Sequence, residues 1–197
     1  MECRAIAAAR EAIMENKPYA LGILVGRFQT LHTGHEDMIR KALELCDRVG
    51  LFVGSSQESG TRVNPFPYAL RRDMLEEAFP GTLRVAPLPD IGVGNNGAWG
   101  DYVLDSVRRV FGMLPDLLVS GKEERRKNWF DHVEGLSIAE LYVPKTIDIS
   151  ASELRGHLIA GDFEAWREYV NPVHWHRWEE LRRLTLLAQD NEDTDSV

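Results

Sequence analysis

Two histidines three positions apart, His32 and His35, fall in the stretch Gly26-Arg27-Phe28-Gln29-Thr30-Leu31-His32-Thr33-Gly34-His35. That stretch ends an apolar run, Ala20 to Val25. It opens a segment in which Met38, Ile39, Ala42, Leu43 and Cys46 recur at helical spacing. A strand-to-helix junction presents the unsatisfied N–H groups of the new helix, and the positive end of its dipole, to an anion. Gly26 and Gly34 permit a tight turn and close backbone approach. Imidazole N–H groups beside such a helix start can meet phosphate oxygens, so the chemistry on offer is the handling of a phosphorylated ligand. Two histidines at the start of an ordinary helix are the plainer alternative.

A second stretch, Ile149-Ser150-Ala151-Ser152-Glu153-Leu154-Arg155, supplies two hydroxyls, helix-start amides and an arginine. Ser150 followed by Glu153 also reads as a serine N-cap with an acidic residue in the first turn. The two readings are compatible, because the amide-rich end of a capped helix is what binds phosphate.

His32-Thr33-Gly34-His35 resembles the T/H-x-G-H motif of the nucleotidyltransferase superfamily, and Ile149 to Arg155 resembles its I-S-x-[ST]-x-x-R motif. The resemblance implies that His32 and His35 stabilise the α-phosphate of a nucleoside triphosphate and that Arg27 lies beside the triphosphate. Ser150, Ser152 and Arg155 would grip the β- and γ-phosphates, while Gly26, Phe28, Gln29, Ser120 and Gly121 face the nucleotide. Gly54-Ser55-Ser56-Gln57, then Thr61-Arg62-Val63-Asn64-Pro65-Phe66 and an arginine-bearing helix with Arg71, is similar to the archaeal-type nicotinamide-mononucleotide adenylyltransferases and their bacterial relatives. This implies Arg62 on the phosphate of a nicotinamide nucleotide, Asp90 and Asn96 lining its pocket, and Trp99 stacking on its ring. The implied reaction moves AMP from ATP to the mononucleotide, giving NAD and pyrophosphate. Mg²⁺ would be delivered with ATP, with no protein ligand set for a metal.

The resemblance spans roughly residues 20–160 and has departures. Thr30 stands where the family usually has proline, and Ser152 where threonine is commoner. A longer Gly92 to Asn96 loop and the charged run Lys122 to Lys127 bear on the second substrate. Alternatives are therefore nicotinic acid mononucleotide, phosphopantetheine, a CTP-dependent reaction, or a nucleotide sensor without turnover. Phosphopantetheine enzymes normally carry Gly-Ser-Phe-Asp-Pro in the first loop, unlike Gly26-Arg27-Phe28-Gln29.

The elements that must position these residues alternate. Strands are expected at 20–25, 49–54, 82–88, 116–120 and 138–143, with helices at 35–47, 67–79, 99–111, 123–131 and 151–160 between and after them. This pattern predicts an α/β fold, a doubly wound, mostly parallel five-stranded Rossmann-like sheet with right-handed crossovers. A helix over 3–16 precedes it, and a helical extension over 162–188 follows the core of about 20–161. One domain over 1–188 is expected, with a disordered acidic tail at 189–197. Ligands of such sheets bind outside the carboxyl ends of the strands. The loops Gly26–His35, Ser55–Asn64, Asp90–Trp99, Ser120–Lys127 and Thr146–Arg155 all follow strands and would share one rim. Gly92-Val93-Gly94-Asn95-Asn96-Gly97 spells G-x-G-x-x-G, but after the third strand and without the acidic residue that ends the next strand of a dinucleotide site.

With 197 residues, 44% of them hydrophobic, the chain can bury one good core. Its net charge of −8 opposes general nucleic-acid binding, which needs basic surface. Arg27, Arg62, Arg71, Lys122 and Arg155 nevertheless fall in or beside the loops, so a locally basic pocket in an acidic body is expected. No stretch approaches the roughly 20 apolar residues of a membrane span, which predicts a cytoplasmic protein; a homo-oligomer is compatible. Cys3 and Cys46 form no metal spacing or disulfide framework, and Cys46 reads as a buried thiol. His174 and His176 point to opposite helix sides, which disfavours joint metal binding. Trp129, Trp166, Trp175 and Trp178 read as packing groups.

Overall fold

The computed structural model describes residues 17–94, 96–121, 127–144 and 147–194; the helix expected over 3–16 lies outside them. The elements run β1 (Tyr19–Gly26), α1 (Thr33–Leu45), β2 (Cys46–Gly54), α2 (Tyr68–Ala78), β3 (Arg84–Leu88), α3 (Gly97–Phe111) and β4 (Leu117–Ser120). After these come α4 (Lys127–Phe130), β5 (Ala139–Tyr142), α5 (Ala151–Ala160), α6 (Phe163–Arg167), a 3₁₀ segment (Pro172–Arg177) and α7 (Trp178–Thr194). The five strands form one sheet in the order β3-β2-β1-β4-β5, every neighbouring pair parallel. The winding reverses between β1 and β4, so the loops leaving them diverge and open a crevice at their carboxyl ends.

Side chains of β1 alternate between the two faces, as the pleat requires. Leu21 and Ile23 pack with Phe52, Val103, Val107 and Trp129 on one side, and Leu24 packs with Ile39, Ala42, Leu51 and Met74 on the other. Burial on both faces explains why the strands read as continuous apolar runs. The edge strand β3 carries Pro87, and the opposite edge, β5, is short and followed by Pro144. The Gln29–Thr30 peptide bond is cis, at the position where the family usually has proline.

The C-terminal extension belongs to the same core, with Trp166, Val170 and Leu181 joining Leu154 and Leu158 of α5 in the Leu24 cluster. The helical extension expected over 162–188 consists of α6, the 3₁₀ segment and the start of α7. Pro172 has no N–H to continue a helical ladder, and Asn171 caps the following turn by accepting the Val173 N–H at 3.1 Å. Trp166 and Trp178 pack at 5.2 Å between ring centres, and Phe163 contacts both. The chain past 188, expected to be disordered, instead continues α7 to Thr194, because buried Ala188 anchors it and the Asn191 side chain donates to the Gly60 carbonyl.

Gly100 of α3 sets one close contact: a Cβ there would lie 1.6 Å from the Trp129 carbonyl oxygen. Backbone cannot yield as a flexible side chain can, so Gly100→Ala should cost about 3 kcal/mol, the upper range for overpacking. Urea unfolding measures this, and an unchanged midpoint would rule the contact out.

Candidate active site

A cavity of about 560 Å³ opens at the carboxyl ends of β1 and β4. Gly26, Arg27, Phe28, Gln29, His32 and His35 form one wall. Ser120, Gly121, Ser150, Ser152 and Arg155 line the cavity too. The two sequence motifs thus meet across one space.

The first wall is built by folding the chain back on itself. Phe28 takes φ +50°, a left-handed conformation that costs a non-glycine residue about 1–3 kcal/mol. Its buried ring lies 5.1 Å from the His35 ring. His32 occupies the N-cap of α1 in extended backbone, its carbonyl accepting the His35 and Glu36 N–H groups at 2.8 and 3.1 Å. The His32 and His35 rings stack with centres 3.7 Å apart and planes inclined by 34°. Gly34 makes room for this: a Cβ there would sit 3.2 Å from the His32 ring.

Two arginines, Arg71 buried and Arg155 half-buried, fasten the loops by binding carbonyl oxygens. Arg155 donates to the Gln29 carbonyl, 126 positions earlier, and to Ser152 Oγ at 3.1 Å. Arg71, 1% exposed, donates to the carbonyls of Arg27 (2.9 Å), Gly54 (2.8 Å) and Ser55 (3.0 Å). Arg71 was legible only as an arginine on a helix; its work is to join the β1 and β2 loops. Gln29, expected at the nucleotide, spends its side-chain amide on the Phe66 backbone, donating to the carbonyl and accepting the N–H at 3.0 Å each. It reaches the cavity while clamping a neighbouring loop. Ser150 caps α5: its Oγ accepts the Glu153 N–H at 3.2 Å and donates to the Glu153 carboxylate at 2.6 Å.

On the far side Asp90 and Trp99 reach the cavity, but Arg62 and Asn96 are not among its described lining. Asn96 is committed to the start of α3, accepting the Trp99 N–H at 3.2 Å and donating to the Val93 carbonyl at 2.6 Å. Arg62 lies exposed on the β2–α2 loop. Asp90 is held from the same loop, its N–H donating to Gln57 Oε1 at 3.0 Å. Trp129, read as a packing group, packs and also lines the cavity, edge-on to Trp99 at 6.2 Å. Asp37, Met38, Ser55 and Ile147 line it too and were not singled out. Helical periodicity accounts for Met38 facing inward, and Gly121 lets it approach, since a Cβ there would lie 2.7 Å from Met38 Sδ. The glycine-rich loop takes positive φ at Gly92 and Gly94 and shapes the rim without touching the cavity. His174 is fully buried against Glu77, whereas His176 is exposed and bonds the Val173 carbonyl.

A parallel sheet whose strand ends gather imidazoles, helix-start amides and guanidiniums defines an α/β protein made for phosphorylated ligands. The cytidylyltransferase-like family pattern matches residues 23–157. The chain is 32% identical over 183 residues to the nicotinamide-nucleotide adenylyltransferase of Thermococcus kodakarensis, a match covering 88% of this chain and 92% of that one. The same-named protein of Pyrococcus horikoshii gives equal values, and that of Haloarcula marismortui is 29% identical over 179 residues, or 89% of each chain. The chain therefore belongs to the cytidylyltransferase-like family, in its nicotinamide-nucleotide adenylyltransferase branch. In fold it resembles a bifunctional NMN adenylyltransferase/ADP ribose pyrophosphatase of Francisella tularensis, solved with AMP and a manganese ion, with a TM-score of 0.71 at 20% identity. That likeness covers 90% of this chain, which spans about half (54%) of the larger protein.

The site's electrostatics follow from burial without carboxylate partners. Arg71 is pulled down to about 10 by desolvation, with Arg27 adding to the effect, and Arg155 is lowered for the same two reasons. Desolvation, and next the field of His32, hold His35 well below the ordinary imidazole value of 6.5. His35 is thus neutral at neutral pH. Below about 6.5 the unfolded chain binds a proton there that the folded chain refuses, so its contribution to stability is lost as the pH falls. The urea midpoint should rise from pH 5 to pH 7. His35→Gln should remove part of that slope, buried His174, also lowered mainly by desolvation, supplying another part. A variant with the full wild-type slope would reject this assignment.

Proposed function

We propose that the chain transfers AMP from ATP to nicotinamide mononucleotide, giving NAD and pyrophosphate. The observation that carries the reading is the closure of both phosphate motifs around one cavity, Arg155 bonding the Gln29 carbonyl of the first and Ser152 of the second. The phosphate of the mononucleotide, largely dianionic with a second pKa of about 6, attacks the α-phosphorus in line. A new P–O bond forms as the α–β bridge breaks and pyrophosphate leaves. No general base is needed, in keeping with a cavity of imidazoles, hydroxyls, amides and guanidiniums.

In this reading His32 and His35 face the α-phosphate. The charge of an arriving polyphosphate favours the protonated form of His35, opposing the effect of its burial. Arg27 lies along the triphosphate, while Ser150, Ser152, Arg155 and the first amides of α5 hold its β- and γ-phosphates. Gly26, Phe28, Gln29, Ser120 and Gly121 form the nucleotide wall. Asp90 and Trp99 receive the second nucleotide; Arg62 and Asn96 would act from the rim. Catalysis then consists of alignment and of donors spread around developing charge. Asp37 and Asp90 are the acidic side chains in the described lining, and no group of three or more His, Cys, Asp or Glu able to hold a metal occurs among the described residues. That donor set fits Mg²⁺ arriving within the substrate MgATP, its ligands mainly phosphate oxygens and water. No helix among the described residues is long and apolar enough to cross a membrane; we place the reaction in the cytoplasm, where ATP is abundant.

Incubation with MgATP and nicotinamide mononucleotide should release pyrophosphate and form NAD. Parallel reactions with nicotinic acid mononucleotide, phosphopantetheine or CTP should be slower, and tight ATP binding without release with any acceptor would overturn the reading. His35→Ala should lower kcat by about 10² or more, the usual cost of losing one transition-state donor; near-normal turnover would exclude that role. Trp99→Ala should raise KM for the mononucleotide while kcat changes little, as for an interaction made in ground and transition states alike. An unchanged KM would place Trp99 outside the acceptor site.

A further inference from the structure

We infer that Asn171 and Glu36 are positioning residues, the Asn171 amide holding the Glu36 carboxylate and thereby fixing the first turn of α1 and the imidazoles at its start. This rests on the reaction proposed above. The start of α1 lacks a side-chain cap, unlike α3, α5 and α6, which are capped by Asn96, Ser150 and Asp162. Its fastening comes instead from the C-terminal extension. The Thr33 N–H donates to the Tyr169 carbonyl at 2.9 Å. Two residues further along the extension, Asn171 Nδ2 donates to Glu36 Oε2 at 3.1 Å, across 135 positions of sequence.

Glu36 follows His35 directly and is 1% exposed, so its orientation and that of the turn are one variable. Its second partner, Arg40, is half exposed and tethers the carboxylate from the solvent side. Asn171 cannot rotate its amide without loss, because Oδ1 already accepts the Val173 N–H at 3.1 Å and so Nδ2 must face Glu36. The extension itself stays docked through Trp166, Val170 and Leu181, so the polar contact is separable from the apolar packing.

Asn171→Asp separates them, keeping the oxygen that caps Val173 and turning the donor into a carboxylate opposite Glu36. Expected are a kcat lower by about tenfold, KM for both substrates within about twofold, and a thermal midpoint within a few degrees of wild type, as for a misplaced but folded catalytic turn. The His35 ring signals in ¹H–¹⁵N NMR should move. Adding Glu36→Gln, whose amide can donate to the carboxylate introduced opposite it, should restore kcat to within about threefold of wild type and return those signals, as expected of a directly coupled pair. Wild-type kcat with unmoved His35 signals in Asn171→Asp would overturn the inference, as would a loss of rate that tracks loss of folded protein and is not rescued by the second change. Failure of wild-type protein to form NAD would instead count against the reaction, and the ring signals would still decide the positioning.

Discussion

Guanidinium groups whose hydrogen bonds go to main-chain carbonyl oxygens are the constraint on which the site depends. Arg71 and Arg155 take five oxygens between them, four main-chain carbonyls and one hydroxyl, and tie the loops leaving β1 and β2 to α2 and α5. Carboxylates in those places would have made salt bridges and cancelled the charge. Carbonyl partners take the terminal N–H groups without neutralising the guanidinium, while the buried Arg71 Nε is left without a partner. In the cavity lining Arg27 and Arg155 stand together with Asp37 and Asp90. The cost is desolvation, visible in the lowered Arg71 and Arg155.

Much of the fold was legible because its central strands β1, β2 and β4 carry continuous buried runs and its helices carry apolar stripes. The extent of α5 was read without error, since Ser150 and Gly161 mark its ends chemically as well as by pattern. The extension, read as helical, is helical in separate pieces, a division that the apolar stripe does not reveal and that the missing N–H of Pro172 imposes. Past Asp190 the acidic composition suggested disorder, but burial of Ala188 keeps the last turns on the body of the protein.

The site was legible in types and less so in tasks. His32, His35, Ser150, Ser152 and Arg155 of the two motifs line one cavity. Asn96 and Gln29 were read for what an amide can do to a ligand; in the structure their amides serve the backbone of α3 and of Phe66. One sequence cannot distinguish these uses, because a cap three residues away and a ligand across a cleft ask for the same functional group. The bonds made by Arg71 and Asn171 are invisible in sequence for another reason: their partners are distant main-chain or side-chain atoms brought near only by the winding of the sheet.

The two margins of the sheet bear on how copies of this chain could associate. Pro87 removes a donor from one margin, and β5 at the other offers four residues before Pro144 interrupts. Neither presents the long ladder of open amides that a second molecule needs to extend a sheet across two subunits. Addition of a further strand is thereby disfavoured at both margins of the sheet.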